Sequence, residues 1–387
     1  MTTLTFPLSR IEGHARVVVE TEGGEVLSAQ FQALEMRGFR YFVQGTPAEQ
    51  MPVIVPRICG VCSTAHHVAA VKALEDAYGV KPTPLAEAIR EVLLLGQLIQ
   101  NQATSLFLFT MPDRVGASSL FHMSESEASK EDQFTIAQRA LRVRKVGTDL
   151  ITLAGGQFIH PVKAEVGGVT SGLNPERHEI VLKELEEALP WAEQLVAMYW
   201  DLSMAMGDRI GTWGDDQPTH YLTSTEPMGL RLNSNRLRVM GLSGEEEPSF
   251  PPHEFESRLE MSDSTSSYAG ESRYEGQILR ANSLARINMC ERLDTPYAQG
   301  WLEKFRAQFG RPAHAILLFD LCRGIELVYA MEKAYEMLQQ DMSCCDPQVP
   351  YTPRDGIGFG LVEAPRGPLI HRYVIEGGLI READFVI

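Results

Sequence analysis

The sequence predicts a mainly α-helical protein with small peripheral β-sheets, an α+β fold around a central bundle of long helices. Helical periodicity recurs through the middle of the chain, from about residue 63 to residue 340. Alternating segments around turn residues near both termini indicate β-hairpins. A hydrophobic content of 44% in 387 residues is enough to bury a sizeable core. We therefore expect one large domain, residues 1–387, with an irregular excursion at about 212–272.

Charge and cysteine content exclude two broad classes of protein. Lysine and arginine number 35 and aspartate and glutamate 51, so the net charge is −16. This charge disfavours a nucleic-acid partner, because such partners attract basic surfaces. Six cysteines in a chain of this length do not make a disulfide framework.

No transmembrane segment or export signal is predicted. The longest apolar stretches, near 92–98 and 315–319, fall short of the ~20 residues that span a bilayer. The first seven residues lack both the basic and the apolar regions of a secretory signal. We expect a cytoplasmic protein, while export together with a signal-bearing partner stays open.

The hairpin at the N-terminal end is predicted from Arg16–Val19 and Val26–Phe31, and that at the C-terminal end from His371–Ile375 and Leu379–Ile387. Short strands are expected inside the excursion at 221–222 and 231–237. The predicted helices run from Cys62 to Tyr78, Leu85 to Phe109, Ser129 to Leu153, Pro175 to Met206, Gln277 to Cys290, Tyr297 to Phe309 and His314 to Gln340. Met111-Pro112-Asp113 is expected to stop the second of these helices, and Pro190 to kink or split the fourth.

The segment Arg57-x-Cys59-Gly60-x-Cys62-x-x-x-His66 carries the strongest chemical signal. Two thiols three residues apart, at the start of a helix, can hold a soft metal or take a redox role. Zinc would be favoured if a second such pair existed. Of the other cysteines, Cys290 and Cys322 lie in helical patterns and are expected to be buried, and Cys344-Cys345 is expected in a loop.

Two further charged residues stand in turn-like contexts. Glu12, beside Gly13, could carry a proton, although the residues alone favour an ordinary ion pair at a strand edge. Arg366, in Ala364-Pro365-Arg366-Gly367, is presented rigidly and could stabilise charge at a reactive centre. A surface ion pair is the alternative for Arg366.

These segments, in this order, resemble the large subunit of [NiFe] hydrogenases, most closely the soluble cofactor-linked branch. The resemblance is carried by Arg10-Ile11-Glu12-Gly13-His14, the cysteine segment, His160-Pro161-Val162 with Gly167-Gly168, and Glu363-Ala364-Pro365-Arg366-Gly367.

The resemblance implies a helical body with peripheral sheets, a nickel ion bound by four thiolates, and an iron carrying CN and CO. It implies Cys59 as a terminal nickel ligand and Cys62 as a ligand that bridges nickel and iron. It further implies that His66 hydrogen-bonds a bridging thiolate, that Arg366 lies over the metals and that Glu12 is the first proton acceptor. Dihydrogen would be split there, and electrons would leave through an iron–sulfur small subunit, with a further electron-transfer subunit possible.

The chain departs from the family pattern at several positions. No Asp-Pro-Cys-x-x-Cys segment, the family's source of the other two thiolates, occurs in the 387 residues. Arg40 stands where the family has a magnesium-binding glutamate, so magnesium is not expected. Gln100-Asn101-Gln102 replaces a region that is histidine-containing in relatives. The missing ligands could come from a separate polypeptide or from a longer form of the chain, or the protein could have diverged.

Three hypotheses follow from these residues. The first is a hydrogenase large subunit that catalyses reversible H2 oxidation at a nickel–iron site. The second is a catalytically incomplete hydrogenase-like scaffold or assembly protein, or a non-catalytic subunit of an electron-transfer complex. The third, a simple Cys-x-x-Cys redox protein, is disfavoured because no thioredoxin-like βαβ pattern surrounds the cysteines.

Overall fold

The α-helices form the body of the protein. The computed structural model describes residues 1–11, 13–35, 38–122, 130–215, 219–343 and 346–387. Within these ranges the helices are α1 (Phe39–Phe42), α2 (Met51–Ile54), α3 (Ser63–Tyr78), α4 (Pro84–Ala103), α5 (Met111–Arg114), α6 (Lys130–Gly155), α7 (Pro175–Met204), α8 (Arg209–Thr212), α9 (Phe255–Arg258), α10 (Asn282–Met289), α11 (Pro296–Phe309) and α12 (Leu318–Leu338).

The β-strands form small sheets around this body, as expected for an α+β fold. They are β1 (Thr2–Pro7), β2 (Ala15–Glu22), β3 (Glu25–Ala33), β4 (Ala164–Glu165), β5 (Gly168–Val169), β6 (His220–Thr223), β7 (Arg238–Met240), β8 (Glu260–Ser262), β9 (Glu271–Tyr274), β10 (Gln277–Arg280), β11 (Gly356–Ala364), β12 (Gly367–Glu376) and β13 (Leu379–Val386). The strand orders are β1-β2-β3, β7-β6-β10-β9-β8, β11-β12-β13 and β4-β5.

The largest hydrophobic cluster lies among the long helices, with α4 at its centre between α6 and α12. The helical run Pro84–Arg114, which includes α4, is long and apolar enough to cross a membrane by length and composition alone. However, 78% of its most apolar window is buried inside the protein. Its apolar residues on several faces are therefore accounted for by packing in the core.

Contrary to the prediction, neither Pro112 nor Pro190 ends a helix. The run that contains α4 continues through a π-helical turn at Thr104–Thr110 into α5, where Pro112 occupies the first turn. A proline is tolerated there because the N–H that it lacks has no partner within a new helical segment. Pro190 lies inside α7, which is continuous. Ala188 and Ala192 are buried on either side of it, so core packing outweighs the lost hydrogen bond.

The structure also corrects several element boundaries. Residues 277–280 form strand β10 rather than the start of a helix, and α12 begins at Leu318 rather than His314. The excursion contains most of a five-stranded sheet, in which the strand expected at 231–237 is instead Arg238–Met240. Both terminal hairpins are present, and each gains a third strand, β1 or β11, that was not predicted.

Helix α3 packs directly on strands β11 and β12 of the C-terminal sheet. A Cβ atom at Gly360 would lie 1.9 Å from the carbonyl oxygen of Ala69, so only glycine permits this approach of strand and helix. The contact fixes the start of α3 against the C-terminal sheet, and the candidate site lies there.

Candidate functional site

The two cysteines of the metal-like segment converge at the N-terminal end of α3. Cys59 follows a 3-10 turn over Val55–Ile58 and is extended, whereas Cys62 immediately precedes α3. Their Cα atoms lie 5.4 Å apart and their sulfur atoms form a disulfide. The loop between them is held from α4, because the Gln97 side-chain amide donates to the Val61 carbonyl oxygen at 3.3 Å. Both sulfur atoms therefore meet at one point on a loop braced by the core.

Arg366 is delivered to this loop from the far end of the chain. Ala364 pairs with Gly367 across β11 and β12, which leaves Pro365 and Arg366 as a two-residue loop. Gly367 has a φ of 135°, and a Cβ atom there would lie 2.6 Å from Ala281 Cβ, so the position requires glycine. The Arg366 Nη2 atom lies 3.6 Å from Cys59 Sγ. Proline, glycine and strand pairing together fix the direction in which the guanidinium is presented.

A buried ion triad lies beneath the Arg366 loop. Arg286 donates from Nε to Glu326 Oε1 at 2.6 Å and from Nη1 to Glu363 Oε1 at 2.8 Å. The same guanidinium donates to the carbonyl oxygens of Ala364 (3.1 Å) and Pro365 (2.9 Å). Burial alone would lower the pKa of Arg286, but attraction by Glu326 and Glu363 raises it above its usual range. Arg286 thus ties the backbone that precedes Arg366 to the core.

His66 is buried on the first turn of α3, facing β12. Its Nδ1 atom lies 2.9 Å from His371 Nε2, and His371 Nδ1 lies 2.7 Å from the Tyr373 hydroxyl. The other ring nitrogen of His66, Nε2, is buried and has no hydrogen-bond partner among the described residues. Burial, with the nearby Arg366 cation, lowers the pKa of His66 to about 3, so the ring is neutral. A neutral imidazole with one open nitrogen is therefore available at this position.

A cavity of about 210 Å³ joins these groups. Cys62, His66 and Arg366 line it together with an apolar wall. The wall residues are Leu222, Leu259, Leu279, Leu369, Ile370 and Val386. A small, mostly apolar cavity with a few polar groups on one side is typical of a site for a small ligand or cofactor.

Four of the five predicted site residues are thus adjacent, namely Cys59, Cys62, His66 and Arg366. Glu12 lies outside the described residues. Its neighbour Arg10 donates to the carbonyl oxygen of Phe109 at 2.8 Å and pairs with Asp113 at 2.6 Å, which ties the N-terminal segment to the end of the long central helical run.

The remaining predicted positions have structural partners. Arg40, in the place of the family's glutamate, pairs with Asp384 on β13 at 2.5 Å. Gln102, in the Gln100–Gln102 region, donates to Glu326 and so joins the ion triad. Cys290 and Cys322 are buried free thiols, which confirms their prediction. Cys344 and Cys345 lie outside the described residues.

The donor set fits part of a nickel–iron centre. Two thiolates are soft ligands suited to nickel and iron, and the open His66 Nε2 and the Arg366 cation complement negatively charged sulfur. Across the described ranges, no three histidine, cysteine, aspartate or glutamate side chains cluster as a metal site. Once their disulfide is reduced, Cys59 and Cys62 would offer two of the four thiolates that the family resemblance implies.

Sequence reasoning missed His371, Tyr373, Arg286 and Glu326. One signal for the first two was available. His371 and Tyr373 are two residues apart on a predicted strand that begins just after Arg366, so they share one face of the sheet. The triad gave no such signal, because its members come from three separate elements.

Two family models match the N-terminal part of the chain. The model described as nickel-dependent hydrogenase matches residues 37–139, and the model described as HoxL-like matches residues 5–36. The first match includes the cysteine segment.

Relatives align over nearly the whole chain. A vhu F420-non-reducing hydrogenase subunit from Methanocaldococcus jannaschii is 33% identical over 390 residues, covering 98% of this chain and 93% of the relative. The NAD-reducing hydrogenase HoxS subunit beta of Cupriavidus necator is 29% identical, covering 98% of this chain and 83% of the relative. Among solved structures, an NAD⁺-reducing [NiFe]-hydrogenase in the H2-reduced state superposes with a TM-score of 0.89 at 26% identity, covering 100% of this chain and 88% of that one. The resemblance inferred from the sequence motifs is thereby confirmed, and the chain belongs to the large-subunit family of nickel-dependent hydrogenases.

Proposed function

We propose that this protein is the large subunit of a [NiFe] hydrogenase and catalyses the reversible reaction H2 ⇌ 2H⁺ + 2e⁻. One observation carries the proposal. Cys62 and Arg366, from opposite ends of a 387-residue chain, line one cavity, and Cys59 contacts both of them, in a protein that is 33% identical to a hydrogenase subunit. The scaffold hypothesis is kept as an outcome of the experiment below.

Cys59 and Cys62, once reduced, would hold the metals through their thiolates. Nickel and iron are the expected metals because the family is nickel-dependent and thiolate sulfur suits both ions. When bound, the nickel–iron centre supplies the heterolytic, two-electron cleavage of H2. Two further thiolates are needed for the family's four, and they come from outside the described residues.

The chain's own residues manage charge and protons. The Cys59 thiolate would accept a proton at Sγ, and the Arg366 cation at 3.6 Å stabilises negative charge on that sulfur. Glu12, two residues beyond Arg10, would take the proton from Cys59 and pass it outward. His66 would hydrogen-bond a bridging thiolate through Nε2, the nitrogen that the fold leaves open. Cys62 and His66 are buried beside the apolar cavity wall, which keeps bulk water from these two side chains.

The electrons require a partner protein. We propose an iron–sulfur small subunit for this role, together with a further electron-transfer subunit. The names of the relatives support a complex of several subunits, since each is named as one subunit, for example subunit beta of an NAD-reducing hydrogenase. A cytoplasmic location is proposed with it, because relatives are named for a soluble cofactor, as in the NAD-reducing hydrogenase.

Metal analysis of the protein, purified from cells that assemble hydrogenases and with its partner subunits, tests the proposal. Stoichiometric nickel and iron, infrared bands of bound CO and CN, and H2-dependent dye reduction are expected. Iron without nickel would support the scaffold hypothesis instead, and the absence of both metals would overturn the hydrogenase proposal.

In the same experiment, two cysteine variants test whether Cys62 is a metal ligand. Cys62→Ala should abolish retention of nickel and iron. Cys290→Ala is the matched control, because Cys290 is also a buried cysteine but lies in another part of the fold as a free thiol. Unchanged metal content in Cys62→Ala would refute the assignment of the ligands.

A further inference from the structure

We propose that Tyr373, acting through His371, fixes the tautomer of His66 so that Nε2 carries the hydrogen and presents an N–H to the cavity beside Cys62. Tyr373 and His371 are positioning residues in this proposal, since His66 alone of the three lines the cavity. The functional consequence rests on the proposed hydrogenase function, whereas the tautomer itself does not.

The three side chains form one buried row between the C-terminal sheet and α3. His371 and Tyr373 point to the same face of β12, and both are 0% exposed. The Tyr373 hydroxyl lies 2.7 Å from His371 Nδ1, and His371 Nε2 lies 2.9 Å from His66 Nδ1. Phe385 packs edge-on against the His371 ring, with ring centroids 4.9 Å apart, which holds that ring in its plane. Within the described part of the chain, each ring nitrogen in the row therefore has one partner, except His66 Nε2.

The hydroxyl hydrogen of Tyr373 sets the direction of the row. A phenol has a single hydrogen to donate, and within the described ranges His371 Nδ1 is the one acceptor in reach. If Tyr373 donates, His371 Nδ1 must be the lone-pair nitrogen and His371 Nε2 must carry the hydrogen. His371 Nε2–H then donates to His66 Nδ1, so His66 carries its own hydrogen on Nε2.

The opposite direction is unfavourable. His371 would then donate to the Tyr373 oxygen, and the phenolic O–H would be buried without an acceptor. The His66 Nε2 lone pair would also face the cavity without a donor, so two buried groups would lack a partner. Among the described residues, the proposed direction leaves one such group in the row, the His66 Nε2–H.

Both histidine rings are neutral, so each carries a hydrogen on one nitrogen only. Both histidines are 0% exposed, and burial holds the pKa of His371 well below its usual range. His66 Nδ1 faces His371 Nε2 at 2.9 Å, so only one of these two nitrogens can carry a hydrogen. Burial raises the pKa of Tyr373 well above its usual range, so the hydroxyl keeps its hydrogen.

The tautomer decides whether His66 donates a hydrogen bond in the cavity or ligates a metal there. With its hydrogen on Nε2, the ring is a hydrogen-bond donor toward thiolate sulfur and cannot ligate a metal through that nitrogen. The other tautomer would place a lone pair in the cavity and add a competing nitrogen ligand. By fixing the tautomer, Tyr373 leaves metal binding to the thiolates. The His66 imidazole then serves to orient a thiolate through a hydrogen bond.

Nitrogen-15 NMR of the full-length chain, labelled at histidine and free of metal, tests the tautomers directly. Long-range ¹H–¹⁵N spectra distinguish a protonated from an unprotonated ring nitrogen, and His66→Gln and His371→Gln assign the two signals. In the unsubstituted protein, both histidines should show Nε2 protonated and Nδ1 unprotonated. In Tyr373→Phe, the exclusive Nε2–H form of His66 should be lost.

The matched control is Tyr78→Phe, because Tyr78 is also buried in this part of the fold and contacts neither histidine through its hydroxyl. That variant should retain both tautomers. A His66 with its hydrogen on Nδ1 in the unsubstituted protein overturns the proposal, even if Tyr373→Phe does not fold. Unchanged tautomers in a folded Tyr373→Phe variant overturn it too. Since no metal or activity is involved, failure of the hydrogenase proposal would show separately, in metal content.

Discussion

The Arg366 guanidinium lies 3.6 Å from the sulfur of Cys59, although the two residues are 307 positions apart in the sequence. The backbone at both positions is held by contacts with the core. Cys59 lies on a loop that α4 holds through Gln97, and Arg366 lies on a two-residue loop tied to the core by Arg286. A fixed cation beside a thiolate needs no reorganisation when charge develops there, which is the arrangement that lowers barriers.

Removing this cation should slow catalysis without releasing the metals. We expect Arg366→Gln to lower the rate of H2 oxidation by about 10²- to 10³-fold, the usual loss for one electrostatic contact at a reacting centre. Arg366→Lys should recover part of the rate, because lysine restores the charge but not the planar fork. Dye-reduction rates measured alongside nickel and iron content check both statements.

Arg381→Gln provides the control, since Arg381 is an exposed arginine on the neighbouring strand β13. Its rate should equal that of the unsubstituted enzyme. If Arg366→Gln retained its metals and the full rate of H2 oxidation, Arg366 would have no role in catalysis.

The local parts of the fold and site could be predicted from the sequence. Helix α3 was predicted with its observed C-terminal end because Gly79 provides a left-handed C-cap after an apolar run. Cys59 and Cys62 were identifiable because their spacing is itself the chemical signal. Arg366 was identifiable because the residues that form its rigid turn are consecutive in the sequence.

The parts that were missed depend on contacts between distant segments. Residues 277–280 look helical in isolation, but they pair with β6 and β9 and so become a strand. Local rules predict that Pro190 kinks or splits its helix, yet α7 is not split there, because its neighbours pack in the core. His371 could not be linked to His66 from the sequence, because their proximity follows from the packing of α3 on β12.

The buried ion triad makes a specific prediction about stability. In Arg286→Met, Glu326 and Glu363 would stay buried without their shared cation, and the Arg366 loop would lose two hydrogen bonds. We expect the free energy of unfolding to fall by about 3–5 kcal/mol, the usual cost of breaking a buried pair from one side. Urea unfolding followed by circular dichroism measures the change.

Arg258→Met tests the same substitution at an exposed ion pair with Glu254, one helical turn away. The expected loss there is at most about 1 kcal/mol, because solvent screens exposed pairs. Equal losses in both variants would mean that the triad contributes no more than a surface pair.

Replacing glycine by alanine should have opposite effects on stability at Gly360, where α3 contacts β11, and at Gly300. In Gly360→Ala the new methyl group would lie 1.9 Å from the Ala69 carbonyl oxygen, so helix and sheet must separate. We expect a loss of stability of about 1–3 kcal/mol, as for overpacking in a core. The separation should also weaken the contact of His66 with His371, visible as shifted histidine NMR signals.

Gly300→Ala is the matched control, because Gly300 lies inside α11 and a methyl group there meets nothing within 4 Å. Alanine favours a helix interior over glycine by about 1 kcal/mol, so this variant should be slightly more stable. A tolerated Gly360→Ala would show that α3 does not need its close approach to β11.

His67 predicts how stability changes with pH. Its Nδ1 atom lies 2.9 Å from the Pro52 carbonyl oxygen, and its Nε2 atom accepts from the Ala164 N–H at 3.1 Å, so both nitrogens are used by the neutral ring. Burial lowers the pKa of His67 from 6.5 to about 4, although the Pro52 hydrogen bond opposes the shift. Between pH 6.5 and pH 4, the unfolded chain therefore binds a proton that the folded chain does not. Stability from this residue is fully present above pH 6.5 and is lost as the pH falls toward 4. From pH 7.5 to pH 5.5 the loss should be about 1.4 kcal/mol.

His67→Gln should remove that contribution, so its urea midpoints at pH 7.5 and pH 5.5 should differ less than those of the unsubstituted protein by the equivalent of about 1.4 kcal/mol. The comparison is between slopes, since the variant loses buried hydrogen bonds at both pH values. His253→Gln, at an exposed histidine in the turn before α9, should leave the slope unchanged. The sign is decisive, because a histidine stabilised in its charged form would make the protein more stable at pH 5.5. A steeper loss of stability on acidification in His67→Gln than in the unsubstituted protein would mean that the folded state protonates His67 in place and that its two hydrogen bonds do not hold the neutral ring.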